Sequence, residues 1–209
     1  MRNKKIVRNL FCATLVLCSL LMANGSLMAQ QNDWPLAKQA EGVTVYTKTP
    51  NEQAVSAYKG ETLVNASTHN ILTFLKNVDN FPNWLYSCTH ASMLDKVSEL
   101  EYYSYTISDF PWPMNDRDSV MKYTISKMSS GTVVIKLKSM AHKVAEKESL
   151  VRLTDFDGAW TLVPQNDNTT LVYYEGNIKI PTSVPNWVVS SAIINAPFSN
   201  LASLKKHFD

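Results

Sequence analysis

The stretch 109–120 reads Asp109-Phe110-Pro111-Trp112-Pro113-Met114-Asn115-Asp116-Arg117-Asp118-Ser119-Val120. Pro111 and Pro113 each fix φ and lack an amide donor, so the segment is a connection and not interior strand. On its N-terminal side Tyr103, Tyr105 and Ile107 alternate; on its C-terminal side Met121, Tyr123 and Ile125 do the same. A stiff aromatic turn therefore joins two strands and delivers Arg117 and Asp118 into the second. Adjacent residues in a strand point to opposite faces, so each of these two is expected to bond to a neighbouring strand or to the turn.

Outward from this turn the chain is mostly strand. Alternation predicts strands over 42–49 and 54–64 with a turn at Thr49-Pro50-Asn51-Glu52, then over 91–97, 101–107, 117–127, 132–140, 150–163 and 169–178. Val133, Ile135 and Leu137 share one face of the fourth of the later six if counted from 91. Helical spacing begins after Ser67 or Thr68, either of which can cap, and runs through Ile71, Leu72, Phe74, Leu75 and Val78; a short helix over 81–86 follows. The longest helix is predicted over 184–208, with Pro197 producing a kink near Ile193 to Pro197. Strands segregated from helices in this way make an α+β protein.

Several local patterns occur in a fixed order: Trp84 and Cys88 in a W-x-x-x-C arrangement, the proline turn with Arg117-Asp118-x-Val120, Gly158-Ala159-Trp160, Pro164, Thr170-x-Val172-x-Tyr174, and Ile180-Pro181 leading to Pro185-Asn186-Trp187-Val188-Val189. Across roughly residues 40 to 208 this order resembles the START (steroidogenic acute regulatory protein-related lipid transfer) domain family, as a secreted or periplasmic bacterial-type member. The resemblance implies a helix-grip fold, a curved antiparallel sheet wrapped around a long C-terminal helix, with an internal cavity for a lipid. It also implies a carboxylate and an arginine inside that cavity, at places falling near Ser104 and Tyr123. Both are neutral here, which favours recognition by hydroxyl groups or water.

The N-terminus carries Arg2, Lys4, Lys5 and Arg8 and no acid, followed by a thirteen-residue apolar run from Leu10 to Met22 and then Ala23-Asn24-Gly25-Ser26. That is the pattern of a secretory signal peptide, and the run is short of the ~20 residues that span a bilayer. Cleavage is expected after Ala29, with Gly25 as the alternative, leaving 30–209 as one START-like domain in the periplasm or outside the cell. Leu17 before Cys18 disfavours lipid attachment there. Residues 1–29 take four of the 20 Lys and Arg and none of the 18 Asp and Glu, so 16 basic side chains face 18 acidic ones in the mature chain. No basic patch remains for nucleic acid. Cys12 and Cys18 leave with the signal, and Cys88 alone can form no intramolecular disulfide.

The inward faces of neighbouring strands are expected to present Tyr103, Tyr105, Met121, Tyr123, Trp160 and Tyr173 to a ligand, with Trp187, Ile194 and Phe198 covering it from the final helix. Apolar walls with a few hydroxyls suit an amphipathic guest. No H-E-x-x-H, C-x-x-C, G-x-S-x-G or phosphate-cradling loop is present, and His69, His90, His142 and His207 lack ligand spacing, so no catalytic residue, metal or cofactor is expected. Cys88 and His90 sit two apart, but Cys88 occupies the place of a structural cysteine in the resemblance. The expectation is a monomer that binds a lipid or other hydrophobic small molecule and touches a membrane surface transiently. The alternatives are a cyclase or aromatase-like enzyme of the same superfamily, with a tyrosine as acid or base, and an envelope interaction protein whose interior is filled.

Overall fold

The computed structural model describes residues 34–48, 55–110, 112–179 and 184–209. The expected signal peptide, the turn at 49–52, Pro111 and Ile180-Pro181 lie outside the described residues. Around the proline turn, β5 (Glu101–Ser108) and β6 (Arg117–Lys127) pair antiparallel, from Ser108 opposite Arg117 to Glu101 opposite Thr124. The Asp116 carboxylate helps to close the connection by accepting from the Phe110 amide at 3.1 Å.

The other strands are β1 (Leu36–Ala40), β2 (Val43–Lys48), β3 (Val55–Val64), β4 (Cys88–Ser98), β7 (Val133–Ser139), β8 (Val151–Arg152), β9 (Phe156–Asn166) and β10 (Thr169–Lys179). They form one sheet in the order β1-β2-β3-β10-β9-β7-β6-β5-β4, with the two-residue β8 parallel to β6. After β3 the chain crosses through α1 (Thr68–Lys76) and a 3-10 helix (Val78–Asn83) to the far edge, then returns strand by strand until β10 meets β3. Ser67 caps α1, accepting from the Asn70 amide at 3.2 Å, and Ile71, Leu72 and Leu75 bury its inner face. β1 lies outside the sequence expectation. Glu41 and Gly42 take φ of 54° and 71°, the two-residue reversal that joins twisted hairpin strands, so Gly42 belongs to a turn and not to the head of a strand.

The long terminal helix is built in three pieces: α2 (Asn186–Ser190), a π segment (Ser191–Asn195) and α3 (Ala196–Phe208). The Ala196 amide reaches the Ser191 carbonyl, five residues back. This wide turn falls where the sequence predicts a kink and accommodates Pro197, which has no amide hydrogen to donate. α3 packs on β2, β3 and β10, with Leu201 and Leu204 fully buried. Leu201 occupies the space that a Cβ on Gly60 would need. The architecture is the α+β helix-grip arrangement, a sheet closed over a C-terminal helix.

The predicted strand 150–163 is interrupted, and one ion pair explains why. β8 peels away from β9 so that Arg152 can grip Asp118 on the outer face of β6. Arg152 Nε and Nη2 donate to the two carboxylate oxygens, each at 2.8 Å, and both side chains are 2% exposed or less. Nη1 donates to the Ala141 and Val144 carbonyls and Nη2 to that of Ala145, while Tyr105 Oη donates to Asp118 Oδ2 at 3.0 Å. All five donors of the guanidinium fork are thus used to hold the segment between β7 and β9 against β6.

The Arg152 fork keeps the Asp118 carboxyl below the ordinary aspartate range. A depressed carboxyl binds fewer protons folded than unfolded, so its contribution is full above the unfolded pKa of about 3.9 and is lost as the pH falls through the lower folded value. Arg152→Met should lower the unfolding free energy by about 3–5 kcal/mol at pH 7, because it strands a buried carboxylate. It should also flatten the loss of stability below pH 4. Urea unfolding at pH 7 and at pH 3 measures both; an equal loss at the two pH values contradicts the assignment.

Candidate functional site

Between the concave face of the sheet, the 3-10 helix and the terminal helix lies a cavity of about 260 Å³. Its wall is made of even-numbered residues of β5, β9 and β10 and odd-numbered residues of β6 and β7. Trp160 stacks on Tyr174 with centroids 3.9 Å apart and planes at 7°, and Tyr102 stacks on Tyr123 at 4.5 Å and 6°. Phe81 and Trp84 close one end, edge to face at 5.7 Å. Ser191, Ala192, Ala196 and Asn200 supply the lid.

Two glycines make room for this aromatic wall. Gly158 and Gly176 face each other across β9 and β10. A Cβ on Gly176 would come within 2.7 Å of the Tyr58 ring and 2.8 Å of Phe156, and one on Gly158 within 2.8 Å of Phe156. The rings therefore lie across a strip of bare backbone.

The polar lining is made chiefly of hydroxyls. Ser104 Oγ donates to Tyr123 Oη at 3.3 Å, so the two places that the family resemblance singled out do meet, as a neutral pair. Thr106 and Ser119 pair at 2.7 Å. Burial pushes the phenols of Tyr58, Tyr102, Tyr123 and Tyr174 up from 10.0, so all four are neutral at physiological pH. Outward past Phe110 a wider hollow of about 560 Å³ shares Ser108, Phe110, Ser119, Leu153, Ile178 and Ala192 with the cavity. Arg117 lies at this mouth, its guanidinium 4.9 Å from the Phe110 ring centre and donating to the Asn115 carbonyl at 2.6 Å.

Of the residues expected at the site, Met121, Tyr123 and Trp160 line the cavity. Tyr103, Tyr105 and Tyr173 are on the opposite face of the sheet. Tyr103 lies beneath Lys143, whose Nζ is 3.9 Å from the ring centre; Tyr105 is buried on Asp118; Tyr173 lies near Lys59. Their neighbours Tyr102 and Tyr174 take the inward places. The phase of β5 was misleading because the Arg152-held segment buries its outer face, so apolar residues occur on both faces and alternation fades. In the terminal helix, Trp187 is 49% exposed, Ile194 packs at the edge of the core, and Phe198 is buried beneath Lys38, so none of the three reaches the cavity. The π segment rotates the preceding turn, which defeats a count made at regular helical spacing.

Cys88 is buried, donates to the His90 carbonyl at 3.3 Å and has its thiol pKa raised by burial, the opposite of an activated nucleophile. His69, His90, His142 and His207 are all exposed.

A family model for the START domain matches residues 22–208. The chain belongs to the START domain family. An uncharacterized protein of Pseudomonas aeruginosa is 28% identical over 199 residues, covering 95% of this chain and 97% of that one. A crystallised fragment of a STAR-related lipid transfer protein from Xanthomonas axonopodis is 27% identical with a TM-score of 0.76, over 84% of this chain and 98% of the fragment. Human StAR-related lipid transfer protein 5 has a TM-score of 0.71 at 17% identity, over 94% of this chain and 92% of its own. The Zhui aromatase/cyclase from Streptomyces has 0.51 at 9%, over 73% and 93%. The last two show the fold alone.

Gly176→Ala should drive Tyr58 and Phe156 away from the strand, at about 1–3 kcal/mol of overpacking. Urea midpoints measure it, and a midpoint unchanged from wild type contradicts the close fit of rings on bare backbone.

Proposed function

We propose that the protein is exported, encloses one lipid or comparable apolar molecule in the aromatic cavity and carries it to and from membrane surfaces. The observation that carries this reading is an aromatic cavity that shares wall residues with a wider hollow past Phe110, beneath Val188 and Ala192 of the terminal helix. Apolar surface buried there contributes about 25 cal/mol per Å². The lipid-transfer description of the Xanthomonas protein supports the same reading. Against an enzymatic reading, the cavity phenols are all raised, whereas a general acid or base works best with a pKa near the operating pH.

The lid is fastened lightly. The Tyr86 amide donates to Asn200 Oδ1 at 2.7 Å, and Tyr86 Oη and Ser191 Oγ pair at 3.2 Å. We assign the π segment as the hinge and Trp112, 91% exposed in the proline turn, as the lip that meets the membrane.

Protein purified from the native host should begin after Ala29, and its organic extract should yield a discrete apolar molecule by mass spectrometry. A chain that retains Met1 and gives an empty extract contradicts the proposal. Pro197→Ala restores an amide donor and should let the π segment relax towards regular helix. Transfer between vesicles should then change several-fold while equilibrium binding changes less; an unaltered transfer rate with a straightened helix removes the hinge.

A further inference from the structure

Two buried side-chain donors, Trp84 Nε1 and Tyr102 Oη, have no hydrogen-bond partner, and no other buried side-chain nitrogen or oxygen among the described residues is left so. Both belong to residues of the cavity wall, which are 8% and 2% exposed. An unpaired donor in a buried place is costly, and such groups in a folded protein call for a specific partner. Both rings pack against other aromatic rings: Trp84 against Phe74 and Phe81, with centroids 5.1 and 5.7 Å away, and Tyr102 in its stack on Tyr123.

The charge of the wall points the same way. Among the described residues no Lys, Arg or His lines the cavity, and the one carboxylate there, Asp109, comes from the strand end beside Phe110 at the mouth. An anionic head group drawn inside would find no countercharge. An indole N–H can only donate, so what it needs is an acceptor.

We propose that the cavity selects an uncharged guest carrying an acceptor oxygen of the carbonyl type, which takes the hydrogen bonds of Trp84 Nε1 and Tyr102 Oη, with a flat ring or chain against the aromatic wall. This rests on the reading of the cavity as a ligand site and adds the polar group by which it discriminates.

Three probes with one ring system test it: 2-acetylnaphthalene, 2-ethylnaphthalene and 2-naphthoate, titrated at pH 7 into the full mature chain and followed by tryptophan fluorescence and calorimetry. The ketone should bind about tenfold more tightly than the hydrocarbon, the increment expected of one to two net hydrogen bonds. The carboxylate should bind more weakly than either. Tyr102→Phe removes one oxygen and should lower ketone affinity several-fold, and by more than it lowers hydrocarbon affinity. Trp84→Phe should reduce the remaining preference. Equal binding of ketone and hydrocarbon, a preference that survives both variants, or tightest binding of the carboxylate overturns the inference and leaves the ligand site standing. Failure of all three probes to bind overturns the ligand site, and this inference with it.

Discussion

The buried pair of Arg152 and Asp118 is the interaction on which the working face of the sheet depends. It draws the segment between β7 and β9 across the back of β6, where the guanidinium meets two carboxylate oxygens and three backbone carbonyls. That segment covers the outer face of β5 and β6, so Tyr105 is buried there on Asp118. On the inner face Tyr102, Met121 and Tyr123 border the hollow, which the terminal helix covers. A buried ion pair is modest as a net source of stability, yet breaking it is costly, which makes it effective at fixing one arrangement of chain.

Inside, the hollow persists because its rings brace one another. The stacks of Trp160 on Tyr174 and Tyr102 on Tyr123 hold flat walls, and Gly158 with Gly176 lets Phe156 and Tyr58 lie close against the strands. Dense packing of this kind resists small rearrangements, which is why the proposed hinge is assigned to the π segment above the mouth. Most polar groups within the wall are hydroxyls and an indole, with Asn200 in the lid and Asp109 at the mouth, the setting in which we propose that direction of hydrogen bonding separates one guest from another.

Much of this architecture was legible in the sequence. The proline turn, the helix capped by Ser67 and most of the strands follow from local chemistry alone, and the ordered short motifs pointed to the family that the whole-chain match identifies. The cavity wall was read only in part. Where one face of a strand was polar, as on β7 with Val133, Ile135 and Leu137, the inward set was clear. On β5, with Tyr102, Tyr103 and Tyr105 in near succession, no period could be assigned, because the burial of the outer face comes from a residue 34 positions beyond Asp118 in the chain. Trp84 was visible as part of a motif, but its unpaired indole depends on what surrounds it and leaves no mark in sequence.

The claim at the centre of this account is that the aromatic hollow holds a guest. The most direct measurement is a crystal structure of the mature protein purified without organic solvent from its native host. The account predicts one elongated or ring-bearing molecule in density between Trp84, Tyr102 and Trp160, with an oxygen within hydrogen-bond distance of Trp84 Nε1 or Tyr102 Oη. Side chains closed upon one another in that space, with no room for a molecule larger than water, would contradict it.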